Sequence, residues 1–270
     1  MPTSPFIRHP NFTSQHVPPR HIDIWLPPGY HANGNGRFPT LYMHDGQNLF
    51  FPEYAYLGET WGISAAMTRL IAAKTIRSTI VIGIWNSGDT RWSEYMPERP
   101  LTTPKGRAIL PTLREKMGDR ATSDSYLRFL VTELKPFIDK TYRTLPEREN
   151  TAVMGSSMGG LVSLYALCEY PHIFHAAGCL STHWPAGDGI VLNYLRKKLP
   201  PPGAHKLYFD YGTETLDTAY EPYQQQADAV LQAAGYVQGQ DWITRRFDGA
   251  AHNEPSWRER VHIPLQFLLT

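Results

Sequence analysis

The chain has 270 residues, 26 Lys and Arg against 25 Asp and Glu, a formal net charge of +1, and 41% hydrophobic residues. That balance lacks the basic excess by which nucleic-acid binders hold phosphates, and so large an apolar fraction argues against intrinsic disorder. No stretch approaches the roughly 20 apolar residues of a membrane span, and the length suits one large domain whose core needs no covalent staples.

The N-terminal stretch MPTSPFIRHPNFTSQHVPP has no apolar signal core, which makes the expected address cytoplasmic. In RHIDIWLPPGY, Ile22, Ile24 and Leu26 alternate on one face before a Pro-Pro-Gly stop, which predicts a strand running into a turn. The Asn- and Gly-rich stretch 31–39 reads as a loop. FPTLYMHDG then predicts a short buried strand and turn. The run STIVIGIWN (78–86) is almost continuously apolar, as expected of a parallel strand covered on both faces. Residues 86–122 are rich in Pro, Arg and Gly with little periodicity, and read as a loop-like excursion. Because it leaves the carboxyl end of a strand, where α/β sheets bind ligands, it is a candidate lid or pocket wall.

The segment SDSYLRFLVTELKPFIDKTY puts Leu127, Leu130, Val131, Leu134 and Ile138 on one helical stripe. Ser123 is its expected N-cap, and Pro136 should kink or loosen its last turns. Strands follow at TAVMG (151–155), HAAGCLS (175–181), KLYFDYG (206–212) and WITRRF (242–247). Helices fall between and after them: SMGGLVSLYALCEYP ending at Pro171, EPYQQQADAVLQAAGY ending near Gly235, and EPSWRERVHIPLQFLL. Strands alternating with helices imply βαβ units and a mostly parallel sheet with helices on both faces. Cys168 and Cys179 lie in apolar surroundings and are read as buried core residues. No Cys–His spacing suggests zinc.

The strongest chemical signal is Gly155-Ser156-Ser157-Met158-Gly159, a G-x-S-x-G match directly after a buried strand and directly before an amphipathic helix. That setting is the nucleophile elbow of an α/β-hydrolase, with Ser157 as nucleophile at the positive end of a helix. The chain order of such enzymes is serine, acid, histidine. His252 lies in a small-residue loop after the last strand and is the expected base; His262, also late in the chain, falls within a helical pattern. The acid should follow the strand ending at Gly212. Asp217 is the first choice there and Glu214 the alternative, while Asp210 within the strand reads as structural. The oxyanion hole needs two backbone N–H donors, expected from Met158 and, in the loop after LYMH, from Gln47. His44 and Asp45 in that loop have no third neighbour to make a metal site and are read as stiffening it.

On MHDGQNLF (43–50), IGIWNSGDTRWSEYMP (82–97), MGSSMGGL (154–161), DYGTETLD and GAAHN (249–253), the chain resembles the esterase D-like family of α/β-hydrolases from about residue 20 to its end. That family includes feruloyl, acetyl-xylan and enterochelin esterases, S-formylglutathione hydrolases and mycolyltransferases. The resemblance implies an α/β-hydrolase fold and a serine esterase; the chain is read as one such domain over residues 1–270, and acyl transfer through the triad needs no cofactor. It implies a triad of Ser157, His252 and an acid after Gly212, with Gln47 and Met158 as hole donors. The chain departs from several relatives in placing Glu214 directly after Gly212-Thr213 and Asp217 three residues later. The expected substrate is an acyl ester of a sugar or small alcohol. Acyl transfer or thioester hydrolysis through the same triad is the alternative. Asn86 and Arg91 are candidate contacts to a polar part of the substrate, with Arg91 alternatively paired to Glu94. Trp61, Trp85, Trp92 and Trp184 could line an aromatic pocket or pack in the core.

Overall fold

The fold comes from a computed structural model that describes residues 5–32 and 34–270; residue 33, inside the stretch read as a loop, and residues 1–4 lie outside it. Eight strands form one sheet: β1 (Phe6–Phe12), β2 (Arg20–Trp25), β3 (Thr40–His44), β4 (Ile80–Ile84), β5 (Thr151–Ser156), β6 (Ala176–Leu180), β7 (Lys206–Gly212) and β8 (Trp242–Phe247). Their spatial order is β1-β2-β4-β3-β5-β6-β7-β8. Among the described residues, only the β1–β2 and β2–β4 pairings are antiparallel.

The helices that cover the sheet are α1 (Ile63–Ala72), α2 (Arg91–Tyr95), α3 (Glu98–Leu101), α4 (Pro104–Met117), α5 (Ser123–Phe129), α6 (Lys135–Thr141), α7 (Met158–Glu169), α8 (Ile190–Lys198), α9 (Glu221–Ala233), α10 (Glu254–Arg260) and α11 (His262–Leu268). Because strand side chains alternate, each strand feeds two cores. Tyr42, Ile80, Ile82 and Val153 join the larger core under α5 to α9. Leu41, Met43, Val81 and Met154 join the smaller one with Met67 of α1 and Leu265 of α11. Burial on both faces explains why the central strands read as continuous apolar runs rather than alternating ones. Cys168 and Cys179 are free and buried, and burial pushes both thiols up, away from reactivity.

Several elements depart from the sequence reading. The first strand, β1, has no counterpart in the sequence reading. It is a partly exposed edge strand that carries Pro10, and its register shifts between His9 and Phe12. An edge strand tolerates proline but loses the sequence pattern of a strand. Helix α1 likewise has no counterpart in that reading, although Ile63, Ala66, Met67 and Leu70 make a buried stripe at i, i+3, i+4 and i+7. Residues 86–122 are not an open excursion: α2, α3 and α4 lie within them and bury Tyr95, Met96, Leu101 and Leu113.

Ser123 does not cap α5. Thr122 is the cap residue, without a side-chain bond, and the Ser123 hydroxyl instead accepts the Glu98 N–H at the start of α3. The irregularity tied to Pro136 falls before it rather than after. Residues Leu130–Leu134 form a π-type turn, in which the Lys135 N–H reaches back to the Leu130 carbonyl. The last predicted helix is broken at Val261, since Pro264 cannot donate to the Arg260 carbonyl four residues back.

One buried ion pair pins the 86–122 segment to the sheet. Arg20 of β2 donates from Nη1 and Nη2 to Glu94 of α2 at 2.9 and 2.8 Å. The guanidinium also lies over the Tyr126 and Phe129 rings. Both side chains are almost inaccessible. Glu94→Ala strands a buried cation, so it should cost about 3–5 kcal/mol. Urea unfolding of the variant measures this, and an unchanged midpoint would refute the role.

Candidate active site

The turn after β5 is where the sequence forces an unusual backbone. Ser157 has φ 57° and ψ −123°, a conformation that costs on the order of 1–3 kcal/mol for a residue with a side chain. It is held by its N–H donating to Leu180 O at 2.9 Å and by the Gly160 N–H donating to its carbonyl at 3.0 Å. The glycines are there for space. A Cβ on Gly155 would lie 2.8 Å from the Gly159 backbone, so strand and helix can pass this closely only without it. Ser157 is thus held between β5 and α7, half-buried, with Met158 as the first residue of the helix.

The loop after β3 turns sharply. Asp45 is left-handed, at φ 55°, and leads into a 3₁₀ turn over Gly46–Asn48. A Cβ on Gly46 would meet the Gly83 carbonyl carbon at 2.4 Å, so this turn rests directly on β4. Arg91 clamps it from α2, with Nε and Nη2 each 2.7 Å from the Asp45 carboxylate. Asn86 adds a bond from Nδ2 to Asp45 Oδ1 at 2.8 Å, and its N–H donates to Gln47 Oε1 at 3.2 Å. Burial alone would raise the Asp45 carboxyl, but Arg91 and Asn86 hold it below the usual range. The partner of Arg91 is therefore Asp45, not Glu94, which is committed to Arg20. His44 is buried against Tyr126, with Nδ1 2.7 Å from the phenol oxygen, and burial pushes its imidazole down to about 3. No group of three or more His, Cys, Asp and Glu among the described residues is placed to hold a metal ion.

After β7, a 3₁₀ turn over Thr215–Ala219 carries Asp217 inward and leaves Glu214 exposed. His252 Nδ1 lies 2.5 Å from Asp217 Oδ1. The other oxygen, Oδ2, accepts from the Ser181 hydroxyl and from the Gly212 N–H, both at 2.6 Å. Burial pushes the Asp217 carboxyl up, but these bonds outweigh it and keep it below the ordinary value. A carboxylate can only accept, so the His252 proton belongs on Nδ1 and its lone pair on Nε2. Ser181 spends its single hydrogen on Asp217 and accepts from Trp257 Nε1 at 3.0 Å and Arg260 Nη2 at 2.9 Å. Arg260 in turn pairs with Asp210 within β7, the structural role expected for that aspartate. The His252 ring is walled edge-on by Trp257 and Tyr220.

Ser157 and His252 line one cavity of about 310 Å³ together with Gln47, Asn86, Arg91 and Tyr56. The structure therefore brings together Ser157, His252, Asp217, Gln47, Asn86 and Arg91, with Met158 at the foot of the cavity's serine. It does not bring in Glu214, Trp85 or Trp184. Trp184 is 1% exposed, its Nε1 bonded to Gln224 and its ring against Phe209, because it points into the core under α9. Trp85 donates to Asp23 and packs with His21, Tyr54 and the Arg8 guanidinium. Trp61 is also core, stacked on Trp257. Sequence reasoning missed Ser181, Trp257, Arg260, Tyr220 and His183, which surround the histidine and its acid. Ser181 alone carried a signal, as the first residue after a buried strand.

A strained serine at a strand–helix turn, opening on a cavity at the carboxyl edge of this sheet, defines an α/β-hydrolase fold of the carboxylic ester hydrolase class. The family model described as "Putative esterase" matches residues 17–262, and the chain belongs to that family. An uncharacterized protein YbbA of Bacillus subtilis (strain 168) is 25% identical over 198 residues, covering 72% of this chain and 68% of that one. Among solved structures, a ferulic acid esterase superposes with a TM-score of 0.69 at 18% identity, covering 98% of this chain and 97% of the other. The enterobactin esterase FES of Shigella flexneri, solved in the presence of enterobactin, gives a TM-score of 0.74 at 17% identity over 99% of this chain and 59% of its own. No helix among the described residues is long and apolar enough to cross a membrane.

Proposed function

We propose that the protein hydrolyses a small-molecule carboxylic ester through an acyl-enzyme on Ser157, with His252 as general base and Asp217 as its orienting acid. The observation that carries this reading is the His252–Asp217 contact of 2.5 Å beside a strained Ser157 in a shared cavity. His252 Nε2 takes the Ser157 proton as the oxygen attacks the ester carbonyl. The N–H groups of Gln47 and Met158 stabilise the oxyanion, one from the clamped loop after β3 and one from the first turn of α7. His252 then protonates the departing alcohol and activates the water that frees the acid.

The cavity wall favours an ester with polar groups near the carbonyl, such as an acylated sugar or small alcohol. Gln47, Asn86 and Arg91 supply hydrogen-bonding edges there. Because Arg91 is already neutralised by Asp45, it contributes donors rather than a net positive field. The exposed Tyr56 offers an apolar surface at the same cavity. Incubation with a fluorophosphonate should attach one phosphonyl group, located by peptide mass spectrometry at Ser157. A label at another residue, or none, would overturn the assignment. A panel of acetyl, feruloyl and short-chain acyl esters then fixes the acyl group.

A further inference from the structure

Tyr220 and His183 form a second hydrogen-bonded pair at the same serine. Tyr220 follows the Asp217 turn, its N–H donating to Asp217 O at 2.9 Å, and it is 1% exposed. Its ring stands edge-on to His252, with centroids 5.7 Å apart and an interplanar angle of 86°. The phenol oxygen lies 2.5 Å from His183 Nδ1, and burial raises the phenol while an interaction with the Ser157 side chain lowers it. His183 is tied to the elbow as well, since its N–H donates to Ser157 O at 3.2 Å, and its ring meets Trp92. Burial pushes the His183 imidazole down to about 4, so it is neutral near pH 7. In the tautomer that carries its one hydrogen on Nδ1, His183 donates to the phenol oxygen, and the phenol hydrogen is then free to turn toward Ser157.

Resting on the reading of Ser157 as nucleophile, we propose that Tyr220 is a further catalytic residue, whose hydroxyl donates a hydrogen bond to the departing alcohol oxygen, and that His183 is its positioning residue. The side of the serine decides the role. The oxyanion donors come from the β3 loop and the start of α7, whereas Tyr220 packs on His252, the group that protonates the leaving oxygen. As the tetrahedral intermediate collapses, the bond from carbon to the leaving oxygen breaks and the carbonyl re-forms from the oxyanion's electrons. The leaving oxygen takes its proton from His252. Tyr220 keeps its own proton and stabilises the negative charge that grows before that transfer is complete.

Tyr220→Phe removes only the hydroxyl. Its kcat on an alkyl acetate, where the leaving alkoxide is strongly basic, should fall by about 10- to 100-fold, the effect of one hydrogen bond to a charged oxygen. On p-nitrophenyl acetate, whose leaving group needs no such help, the loss should stay within about threefold, with KM unchanged on both. His183→Ala should show the same leaving-group selectivity at smaller size, and so tests the pair even if the phenylalanine variant folds poorly. Equal losses on the two esters, or none, overturn the proposal while leaving Ser157 as nucleophile if that residue still takes the fluorophosphonate. Failure of the wild-type protein to take that label at Ser157 overturns both readings.

Discussion

Ser157→Ala will lower the hydrolysis of p-nitrophenyl acetate by about 10⁴- to 10⁶-fold, the range seen when a serine hydrolase loses its nucleophile. The magnitude follows from what remains. Without the hydroxyl no acyl-enzyme forms, while Gln47, Met158 and the cavity can still bind the ester and polarise its carbonyl. Stability should hardly move. Alanine occupies less space than serine, and the backbone strain at φ 57° is set by the Leu180, Gly160 and His183 contacts to main-chain atoms, which the substitution leaves in place. Steady-state rates beside a thermal melt check both statements. Ser156→Ala is the internal comparison, since Ser156 lies on the same cavity one residue earlier. If the two variants lose activity equally, the nucleophile has been misassigned.

How far such a site is legible from sequence depends on whether a residue's role is fixed by its chain neighbours. The proposed nucleophile, Ser157, is legible because that role needs a strand, a tight turn and a helix in direct succession, and the close approach at Gly155 admits no other residue. The β3 loop is legible for a related reason, since it directly follows a fully buried, largely apolar strand. His252 is legible because it lies in the small-residue loop between the last strand and the last helix, where the chain order of such enzymes expects the base. The acid is less so, because Glu214 and Asp217 differ by three residues in a turn whose geometry no periodicity reveals. Only the 3₁₀ turn decides which of them is carried inward.

The surroundings of the site were illegible. Trp184 and Trp85 stand near strand ends like true pocket residues, yet one fills the core and the other joins an aromatic cluster with Arg8. Tyr220 and His183 meet the site from two loops 37 residues apart, after β7 and after β6, so nothing in their own spacing marks them. The same holds for the ion pairs. Arg91 stands three residues before Glu94, an ordinary helical pairing distance. Instead each reaches a partner 46 or 74 residues away, because α2 presents one to the β3 loop and the other to β2. The 86–122 segment hid its helices for a similar reason, since their apolar residues pack against several neighbouring helices rather than forming one long stripe.

The choice of acid yields the second large effect. Asp217→Asn should lower kcat by about 10⁴-fold, whereas Glu214→Gln, on an exposed side chain, should leave it essentially unchanged. The argument turns on donors. Oδ2 of Asp217 faces the Gly212 N–H, which cannot do anything but donate, and the Ser181 hydroxyl. An asparagine must therefore keep its carbonyl oxygen on that side and turn its NH₂ group toward His252 Nδ1. Two donors cannot face each other at the 2.5 Å now separating the carboxylate from the ring, so His252 must shift its hydrogen to Nε2. In that tautomer the nitrogen facing Ser157 has no lone pair, and the serine proton has nowhere to go. The variant should fold, because the Gly212 bond survives and the shape is conserved. Rates on p-nitrophenyl acetate for both variants, with the protonated nitrogen of His252 read from ring ¹⁵N shifts, test the whole chain of reasoning. A large loss in Glu214→Gln, or an Asp217→Asn enzyme that keeps both its activity and its Nδ1 hydrogen, would remove Asp217 from the mechanism.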